Sequence, residues 1–262
     1  MKLVGDYDLR ELHRRVREAN NITQFCEFMR QLDMEKLSDA YEEEKAHAPR
    51  PKQYFVGRAG KPTTSSEESN RREEHLAMAL CNDFGEKGEV AHEEISELRF
   101  LDYQFPLKAR RGDAGVGKVD LFGVIDDVHP CVVELKIDRE SGLGDTPARA
   151  LLEALAYCAI VEANIEQIAG EARETFGVNF SAKKPRLMIL APGSYWRGWK
   201  DKREAKDWRP VFLDLLKSIR EHIGLHCHLA ALHGCGLSMG DNNTKPGLRG
   251  AKCKLTSVRL DA

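Results

Sequence analysis

The fold is decided by the stretch Lys118-Val-Asp-Leu-Phe-Gly-Val-Ile-Asp-Asp-Val-His-Pro-Cys-Val-Val-Glu-Leu-Lys-Ile137. Two apolar runs rich in β-branched residues, Val119 to Ile125 and Cys131 to Ile137, lie on either side of a polar break. Runs of this kind around a short polar break predict a β-hairpin. Both predicted strands nevertheless carry charged residues, which an ordinary buried hairpin avoids.

The register of this hairpin decides which side chains meet. Pro130 has no N–H to donate to a neighbouring strand, so we place residues 126–130 in the loop. Side chains alternate between the two faces of a strand, so Glu134 and Lys136 share one face. This register puts Asp120 opposite Lys136 and diagonal to Glu134. Three charged side chains are therefore predicted to converge on one patch.

The chemistry of such a patch points to a metal. Two carboxylates buried close together need a compensating cation or a hydrogen-bond network. Mg²⁺ takes oxygen ligands, keeps several waters and completes its shell with substrate phosphates. A lysine beside one ligand can orient or deprotonate an attacking water, or stabilise charge that develops on phosphorus. The pattern therefore favours metal-assisted hydrolysis of a phosphodiester.

The same residues resemble the signature of the PD-(D/E)XK nuclease superfamily, in which a strand Asp precedes Glu-X-Lys on the adjoining strand. Asp120 and Glu134-Leu135-Lys136 match it, whereas Val119 stands where a proline often precedes the Asp. The resemblance implies that Asp120 and Glu134 bind Mg²⁺, with Mn²⁺ as an alternative. It implies a backbone carbonyl ligand at Leu135 and the catalytic lysine at Lys136. The expected activity is hydrolysis of nucleic acid, with DNA as the favoured substrate over RNA.

Three alternatives stay open beside this one. The first is an ordinary hairpin whose acids and lysine face solvent, because Glu-X-Lys alone is a common sequence. The second is a nucleic-acid-binding or assembly protein that has the fold but does not cleave. The third is a hydrolase of small phosphate esters. The complete set of Asp, Glu and Lys favours the nuclease.

Composition limits the partners and the location. With 40 Lys and Arg against 42 Asp and Glu in 262 residues, the net charge is −2. Binding of nucleic acid must therefore use a local basic face. The apolar runs are too short to span a membrane, and the first residues predict a charged helix rather than a secretory core. Seven scattered cysteines indicate reduced thiols in a cytoplasmic protein without membrane contact.

Periodicity divides the chain into three parts. Residues 1–47 are predicted to be a small helical appendage, in which Asp33 or Ser38 starts a third helix. This appendage covers the core or docks a protein partner, and the first is the simpler interpretation. Residues 48–69, rich in Pro, Gly, Ser and Thr, are predicted to be a linker or extended arm. Residues 70–262 form the predicted nuclease-like domain, whose oligomeric state the sequence leaves open.

The predicted elements around the hairpin follow the order of the restriction-endonuclease-like core. A helix from Arg71 to about Asp83 and a strand within Ile95 to Lys108 precede the hairpin. Thr146-Pro147 then opens a helix that runs to about Ala163, because a cap residue followed by proline is a favoured start. A buried strand follows at Lys184 to Pro192. This order, αβββαβ, predicts an α/β fold with a mixed central sheet flanked by helices.

Further site residues are implied by the resemblance. The first core helix of the superfamily often adds a Glu to the metal site, and Glu74 is the candidate here, with Glu73 its close competitor. A solvated acid at a helix start is the alternative for either residue. Glu153 and Tyr157 lie one turn apart on the later helix. They resemble the Gln-x-x-x-Tyr element of RecB-type exonucleases, with Glu in place of Gln, or they are ordinary flank residues.

A glycine-rich segment before the hairpin invites a nucleotide-binding interpretation that we reject. Gly112-Asp-Ala-Gly-Val-Gly-Lys118 fits the front of a P-loop, but Val119 stands where Ser or Thr is required. A strand follows instead of a helix, so no helix N-terminus faces the phosphates. We interpret the segment as a basic turn that brings Arg110, Arg111 and Lys118 to nucleic acid near the site.

Two later segments complete the predictions. Residues 195–209 interleave aromatic residues with cations, including Arg197 and Lys200, which suits phosphate contacts and base stacking. The alternative is that the tryptophans pack this segment onto the core. Residues His228 to Leu232 predict a strand, and Lys254 to Leu260 predict a short edge strand.

Overall fold

A computed structural model describes residues 7–17, 22–56, 71–113, 116–138, 145–201, 205–238 and 246–260. Its helices are α1 (Leu9–Arg17), α2 (Ile22–Arg30), α3 (Met34–Glu44), α4 (Arg72–Lys87), α5 (Pro147–Ala163), α6 (Ile165–Phe176), α7 (Gly193–Lys200) and α8 (Ala205–His222). Its strands are β1 (Gly88–Ala91), β2 (Leu98–Pro106), β3 (Lys118–Ile125), β4 (His129–Leu135), β5 (Arg186–Pro192), β6 (Cys227–His233), β7 (Gly236–Ser238), β8 (Gly247–Arg249) and β9 (Cys253–Ser257).

A mixed sheet forms the centre of the fold. Its strands lie in the order β1-β9-β6-β5-β4-β3-β2, and β7 pairs with β8 separately. Strands β2, β3 and β4 form an antiparallel meander. Strand β5 runs parallel to β4 after a crossover through α5 and α6, and β6 runs parallel to β5 after a crossover through α7 and α8. The predicted α/β class, with a mixed central sheet flanked by helices, is confirmed.

Two hydrophobic clusters cover the two faces of this sheet. Helix α4 packs over one face, where Leu80 and Phe84 contact the cluster that contains Leu121 and Val133. Helix α5 packs over the other face, in the cluster that contains Phe122. Apolar side chains of α1, α2, α3 and α8 belong to this second cluster. Both faces of β3 and β4 are therefore buried.

The N-terminal helices cover the core, which is the simpler of the two predicted roles. Asp33 caps α3 as predicted, since its side chain accepts the N–H groups of Glu35 and Lys36. Tyr41 on α3 donates to Glu162 Oε2 on α5 at 2.8 Å. Part of the predicted linker also packs on the core, where the side chain of Glu171 accepts two main-chain N–H groups of residues 54–55. The rest of that linker, residues 57–69, lies outside the described residues.

The hairpin is confirmed, but its predicted register is wrong by two residues. Val124 pairs with Pro130 and Ile125 with His129, so the loop contains only residues 126–128. Pro130 lies inside β4, not in the loop. It occupies the second position of the strand, before the part that pairs with β5, and a missing N–H is tolerated near a strand's beginning. Excluding the proline from the strand made the predicted loop too long.

The turn itself explains why the loop is short. The Val128 N–H donates to the Ile125 carbonyl at 3.0 Å. Asp126 and Asp127 both have a φ of 52°, and turns with positive φ match the twist of a hairpin. Aspartate is among the residues that tolerate this conformation. The polar break is therefore a tight turn built on two aspartates.

The C-terminal region differs from prediction in two respects. Strand β9 is not an edge strand, because it pairs with β6 on one side and with β1 on the other. The short strand β1, which the sequence did not indicate, is what covers it. Cys235 and Cys253 pair in a disulfide, contrary to the prediction of reduced thiols throughout. The strand predicted at His228 to Leu232 is confirmed as β6.

Within the described ranges, no helix combines the length and the apolar character needed to cross a membrane.

The two aspartates of the turn allow a matched test. Asp126 Oδ1 accepts the N–H groups of Ser96 at 3.0 Å and Glu97 at 2.8 Å, in addition to adopting positive φ. Replacing either aspartate by glycine relieves the backbone equally, but Asp126→Gly also loses two hydrogen bonds. We expect Asp126→Gly to be about 1–2 kcal/mol less stable than Asp127→Gly in urea denaturation. Equal stability of the two variants would contradict this assignment.

Candidate active site

Asp120 and Glu134 meet on the face of the sheet that α5 covers. Leu121 pairs with Val133, and the same register continued by one residue puts Asp120 opposite Glu134. The predicted arrangement, with Lys136 opposite Asp120, is wrong for the same reason as the loop. Because the error is an even number of residues, it leaves every side chain on its predicted face. The predicted convergence of the three charges is therefore retained.

Hydrogen bonds tie this triad together. Lys136 Nζ donates to Glu134 Oε1 at 2.6 Å, and the Leu135 N–H donates to Asp120 Oδ2 at 3.0 Å. The residues are only 9% (Asp120), 3% (Glu134) and 4% (Lys136) exposed. The alternative of an ordinary hairpin with solvent-facing charges is therefore wrong. Carboxylates are seldom buried in this way unless a partner compensates their charge.

The site has an excess of negative charge. Burial, together with the nearby Glu73 carboxylate, raises the pKa of Asp120 to about 7 despite Lys136. Burial raises the pKa of Glu134 well above its ordinary range, with Asp120 and Glu153 adding to the effect. Burial opposes the charge on Lys136, but the surrounding carboxylates outweigh it and raise the pKa of its ammonium group. One lysine therefore faces four acids.

The N-terminal turn of α4 brings Glu73 rather than Glu74 to this cluster. Glu73 interacts electrostatically with both Asp120 and Lys136. Glu74 instead pairs with Arg71, with 3.7 Å between Glu74 Oε2 and Arg71 Nη1. The two residues are 100° apart around the helix, so only one of them can point toward the strand ends. The sequence identified the pair but could not decide between them.

Helix α5 contributes the predicted supporting residues. Thr146 caps this helix by accepting the Arg149 N–H at 3.1 Å, which fixes its start as predicted. Tyr157 then donates from Oη to Glu153 Oε1 at 3.2 Å. Both side chains interact electrostatically with Glu134. The structure therefore brings Glu153 and Tyr157 to the triad.

Gln104 is a neighbour of the triad that the sequence did not indicate. Its Nε2 donates a hydrogen bond to Asp120 Oδ1 at 3.3 Å. Its φ is 49°, which is uncommon for a residue other than glycine and costs of the order of 1 kcal/mol. The pairing of β2 with β3 is irregular between Phe100 and Asp102, just before it. No sequence motif marks such a residue, because the irregular strand positions it.

The predicted nucleic-acid contacts divide into two groups. Arg110, Arg111 and Lys118 are exposed, and Lys118 begins β3 two residues before Asp120. Arg197 is exposed and Lys200 half-buried on α7, the helix that follows β5. Lys118 is thus close to Asp120 along β3, while Arg197 and Lys200 come from a different segment of the chain.

The aromatic residues of 195–209 do not provide a stacking surface. Trp196, Trp199 and Trp208 are buried. Trp199 and Trp208 lie edge to face, with ring centroids 5.9 Å apart, and Phe25 of α2 packs against both. The predicted base stacking is therefore wrong for these side chains, and the packing alternative is correct.

The donor set suits a magnesium ion. Asp120, Glu134 and the Leu135 carbonyl offer oxygen ligands, and the negative excess around them favours a cation. Among the described residues, no group of three or more His, Cys, Asp or Glu side chains is arranged to hold a metal ion. Mg²⁺ does not require such a group, because one or two carboxylates with waters and substrate phosphates suffice.

Comparisons with known proteins identify no relative. Neither a family model nor a curated protein nor a solved structure matches this chain.

The packing of Tyr157 gives a matched pair of glycine variants. A Cβ atom at Gly117 would collide with Tyr157 Oη, whereas a Cβ at Gly112 in the same segment would meet nothing within 4 Å. We expect Gly117→Ala to displace the Tyr157 hydroxyl and to destabilise the protein by about 1–3 kcal/mol, since overpacking strains a core. Gly112→Ala should stay within about 0.5 kcal/mol of the parent. Urea denaturation measures both, and a tolerated Gly117→Ala would contradict the packing.

Burial of Asp120 predicts a pH-dependent stability. Its pKa of about 7, against an ordinary 3.8, means that the folded state holds an extra proton between these values. Parent stability should therefore fall as the pH rises through this window. Asp120→Asn removes the cost of burying this charge. Its Tm should therefore exceed that of the parent by several degrees at about pH 8, and the two Tm values should converge near pH 4.

Asp214→Asn is the control, because it removes one carboxylate from an exposed position on α8. Thermal unfolding in EDTA between about pH 4 and pH 8 compares the three proteins. A Tm for Asp120→Asn below that of the parent at the alkaline end would contradict the electrostatic description.

Proposed function

We propose that this chain is a Mg²⁺-dependent nuclease of the PD-(D/E)XK type, acting most readily on DNA, with Mn²⁺ as a substitute metal. The observation that carries the proposal is the buried triad. Asp120 and Glu134 oppose each other on adjacent strands, and Lys136 Nζ lies 2.6 Å from Glu134 Oε1. A protein gains no stability from burying these carboxylates together, so a functional role explains their position.

The order of elements gives further support. Helix α4, strands β2, β3 and β4, helix α5 and strand β5 follow one another along the chain, apart from the short β1 and the additional helix α6. This is the αβββαβ order of a restriction-endonuclease-like core. The antiparallel meander of β2, β3 and β4 and the parallel crossover from β4 to β5 are what such a core would require, and they support the proposal.

Each residue of the triad has a distinct role in this proposal. Asp120, Glu134 and the Leu135 carbonyl would hold the metal, which when bound polarises the phosphate and favours hydroxide at neutral pH. Glu134 holds the Lys136 ammonium within reach of the reacting phosphate. There Lys136 orients the attacking water and stabilises negative charge on the phosphoryl oxygens.

Neighbouring residues would position the triad. Gln104 donates to one oxygen of Asp120 and the Leu135 N–H to the other, which fixes the plane of that carboxylate. Tyr157 and Glu153 support the site from α5, in the position that RecB-type exonucleases use. Glu73 would take the part that we assigned to Glu74 from the sequence.

Substrate binding must use local charge, because the chain as a whole carries a net charge of −2. Lys118 is exposed at the start of β3, and exposed Arg110 and Arg111 lie earlier in the segment between β2 and β3. Phosphates bound by these cations would lie near the beginning of β3, close to Asp120. The same residues would serve the alternative, a non-cleaving nucleic-acid-binding or assembly protein on this fold.

A cleavage assay tests the proposal. Linear, circular and single-stranded DNA are incubated with Mg²⁺, Mn²⁺ or EDTA and the parent, Asp120→Asn or Lys136→Met protein. We expect metal-dependent degradation that falls by about 100-fold or more in either variant. Cleavage of the circular substrate separates endonuclease from exonuclease action. Full activity of Lys136→Met would exclude the assigned role, and metal-independent binding without cleavage would favour the non-cleaving alternative.

The two adjacent glutamates of α4 supply a matched control. Glu73→Gln and Glu74→Gln remove the same charge from consecutive positions of one helix turn. We expect Glu73→Gln to lower the cleavage rate by about tenfold or more and Glu74→Gln to leave it within about twofold, because Glu73 interacts electrostatically with Asp120 and Lys136, whereas Glu74 pairs with Arg71. The opposite ranking would return the role to Glu74.

A further inference from the structure

A polar cavity lies at the end of the central strands away from the triad. Its volume is about 240 Å³. Strands β4, β5 and β6 run in the same direction, and the cavity collects residues from their amino ends. Its polar lining includes His129, Arg186, Arg220, His226, His228 and Glu94. Glu134 lies five residues along β4 from His129, roughly 15 Å away, so this cavity is separate from the triad.

His228 is the residue that points to a missing partner. It is only 4% exposed, and in the described part of the chain neither ring nitrogen makes a hydrogen bond. Its Nδ1 lies 3.3 Å from Glu94 Oε2, close enough for an ion pair if the ring is protonated. A buried polar group without a hydrogen bond costs about 1–3 kcal/mol. This cost is offset if a bound ligand supplies the hydrogen-bond partner that His228 lacks.

The cations around His228 indicate the charge of that ligand. Arg186 Nη2 lies 3.3 Å from His129 Nε2, and Arg220 comes from the last turn of α8. Guanidinium groups bind phosphate oxygens through two parallel hydrogen bonds. Two arginines with three histidines at one cavity therefore suit an anion with several oxygens.

Two carboxylates also line the cavity, and they differ in how firmly they are held. Asp126 is held in the hairpin turn, where its side chain accepts the N–H groups of Ser96 and Glu97. Glu94 is 59% exposed, and its carboxylate approaches His228. The Glu94 carboxylate therefore occupies an anion-binding position beside His228, and an anion that binds there more tightly can displace it.

Electrostatics agrees with this interpretation. Burial and then the neighbouring Arg186 lower the pKa of both His129 and His226. Burial, followed by His92 and Arg186, lowers the pKa of His228 to about 3. Burial and the neighbouring cations therefore favour the neutral forms of these rings in the cavity as it stands. A bound anion would favour their protonated forms and gain hydrogen-bond donors from them.

We propose that this cavity binds a phosphate group, which displaces the Glu94 carboxylate and accepts hydrogen bonds from Arg186, Arg220 and His228. The phosphate is inorganic phosphate, a 5′-mononucleotide or the 5′-phosphate end of a nucleic acid, since all three present the same terminal oxygens. The site does not depend on the proposed nuclease function.

Calorimetric titration in EDTA at about pH 6 tests the proposal on the full chain. The probes are inorganic phosphate, a 5′-mononucleotide, and one oligonucleotide with either a 5′-phosphate or a 5′-hydroxyl end. We expect at least one phosphate-bearing probe to bind. The probe that binds most tightly identifies which of the three phosphate sources the cavity prefers. The 5′-hydroxyl oligonucleotide should bind more weakly than its phosphorylated form.

Three substitutions assign the binding to this cavity. Arg220→Gln should weaken it by about tenfold or more, and Glu94→Gln should tighten it several-fold by removing the competing charge. Arg173→Gln, which removes an exposed cation from α6, should leave it unchanged. All three substituted positions are exposed, so the variants should fold, and circular dichroism checks this.

The pH dependence supplies an independent readout. Sulfate keeps a constant charge near neutrality, so a change in its affinity reports on the protein. Affinity should fall as the pH rises from about 5 to 8, because the histidines lose the protons that the anion favours. Absence of binding by every probe, or equal binding to Arg220→Gln and the parent, would overturn the proposal. Loss of DNA cleavage alone would not affect it.

Discussion

The opposition of Asp120 and Glu134 inside the sheet is the constraint that the rest of the structure must accommodate. Two buried carboxylates repel each other, and desolvation penalises both charges. The chain compensates them only in part, through the Lys136 ammonium and the Leu135 N–H. Such a pair persists because β3 and β4 are covered on both faces by helices, whose packing stabilises the fold enough to tolerate it. The resulting demand for positive charge is what makes the site a candidate for Mg²⁺.

The elements around the strands each serve this pair. Helix α4 supplies buried apolar residues to one face and directs Glu73 toward the triad from its first turn. Helix α5 covers the opposite face and carries Tyr157 and Glu153. The irregular strand β2 presents Gln104 to Asp120. At the amino ends of β4, β5 and β6, arginines, histidines and two carboxylates line a separate polar cavity. The central strands therefore carry two distinct polar sites, one at each end.

Local sequence rules predicted much of this arrangement. Alternation predicted that Glu134 and Lys136 share a face, and the Thr146-Pro147 start of α5 is confirmed. The register could not be predicted, because a proline inside a strand is tolerated at its beginning and the Asp126-Asp127 turn is tighter than expected. Selection of Glu73 over Glu74 depends on the exact rotation of α4. Gln104 and the His228 cavity depend on contacts between distant segments, which no motif records. Interleaved tryptophans and cations were compatible with base stacking or with core packing, and the structure shows that the rings fill the core.

The most direct test of the central claim is anomalous diffraction from crystals of the protein grown with Mn²⁺. We expect an anomalous peak between the carboxylates of Asp120 and Glu134, beside the Leu135 carbonyl, with Lys136 Nζ still within hydrogen-bond distance of Glu134. A fully ordered triad that keeps its Lys136–Glu134 ion pair and shows no peak, at Mn²⁺ concentrations that saturate ordinary magnesium sites, would contradict it.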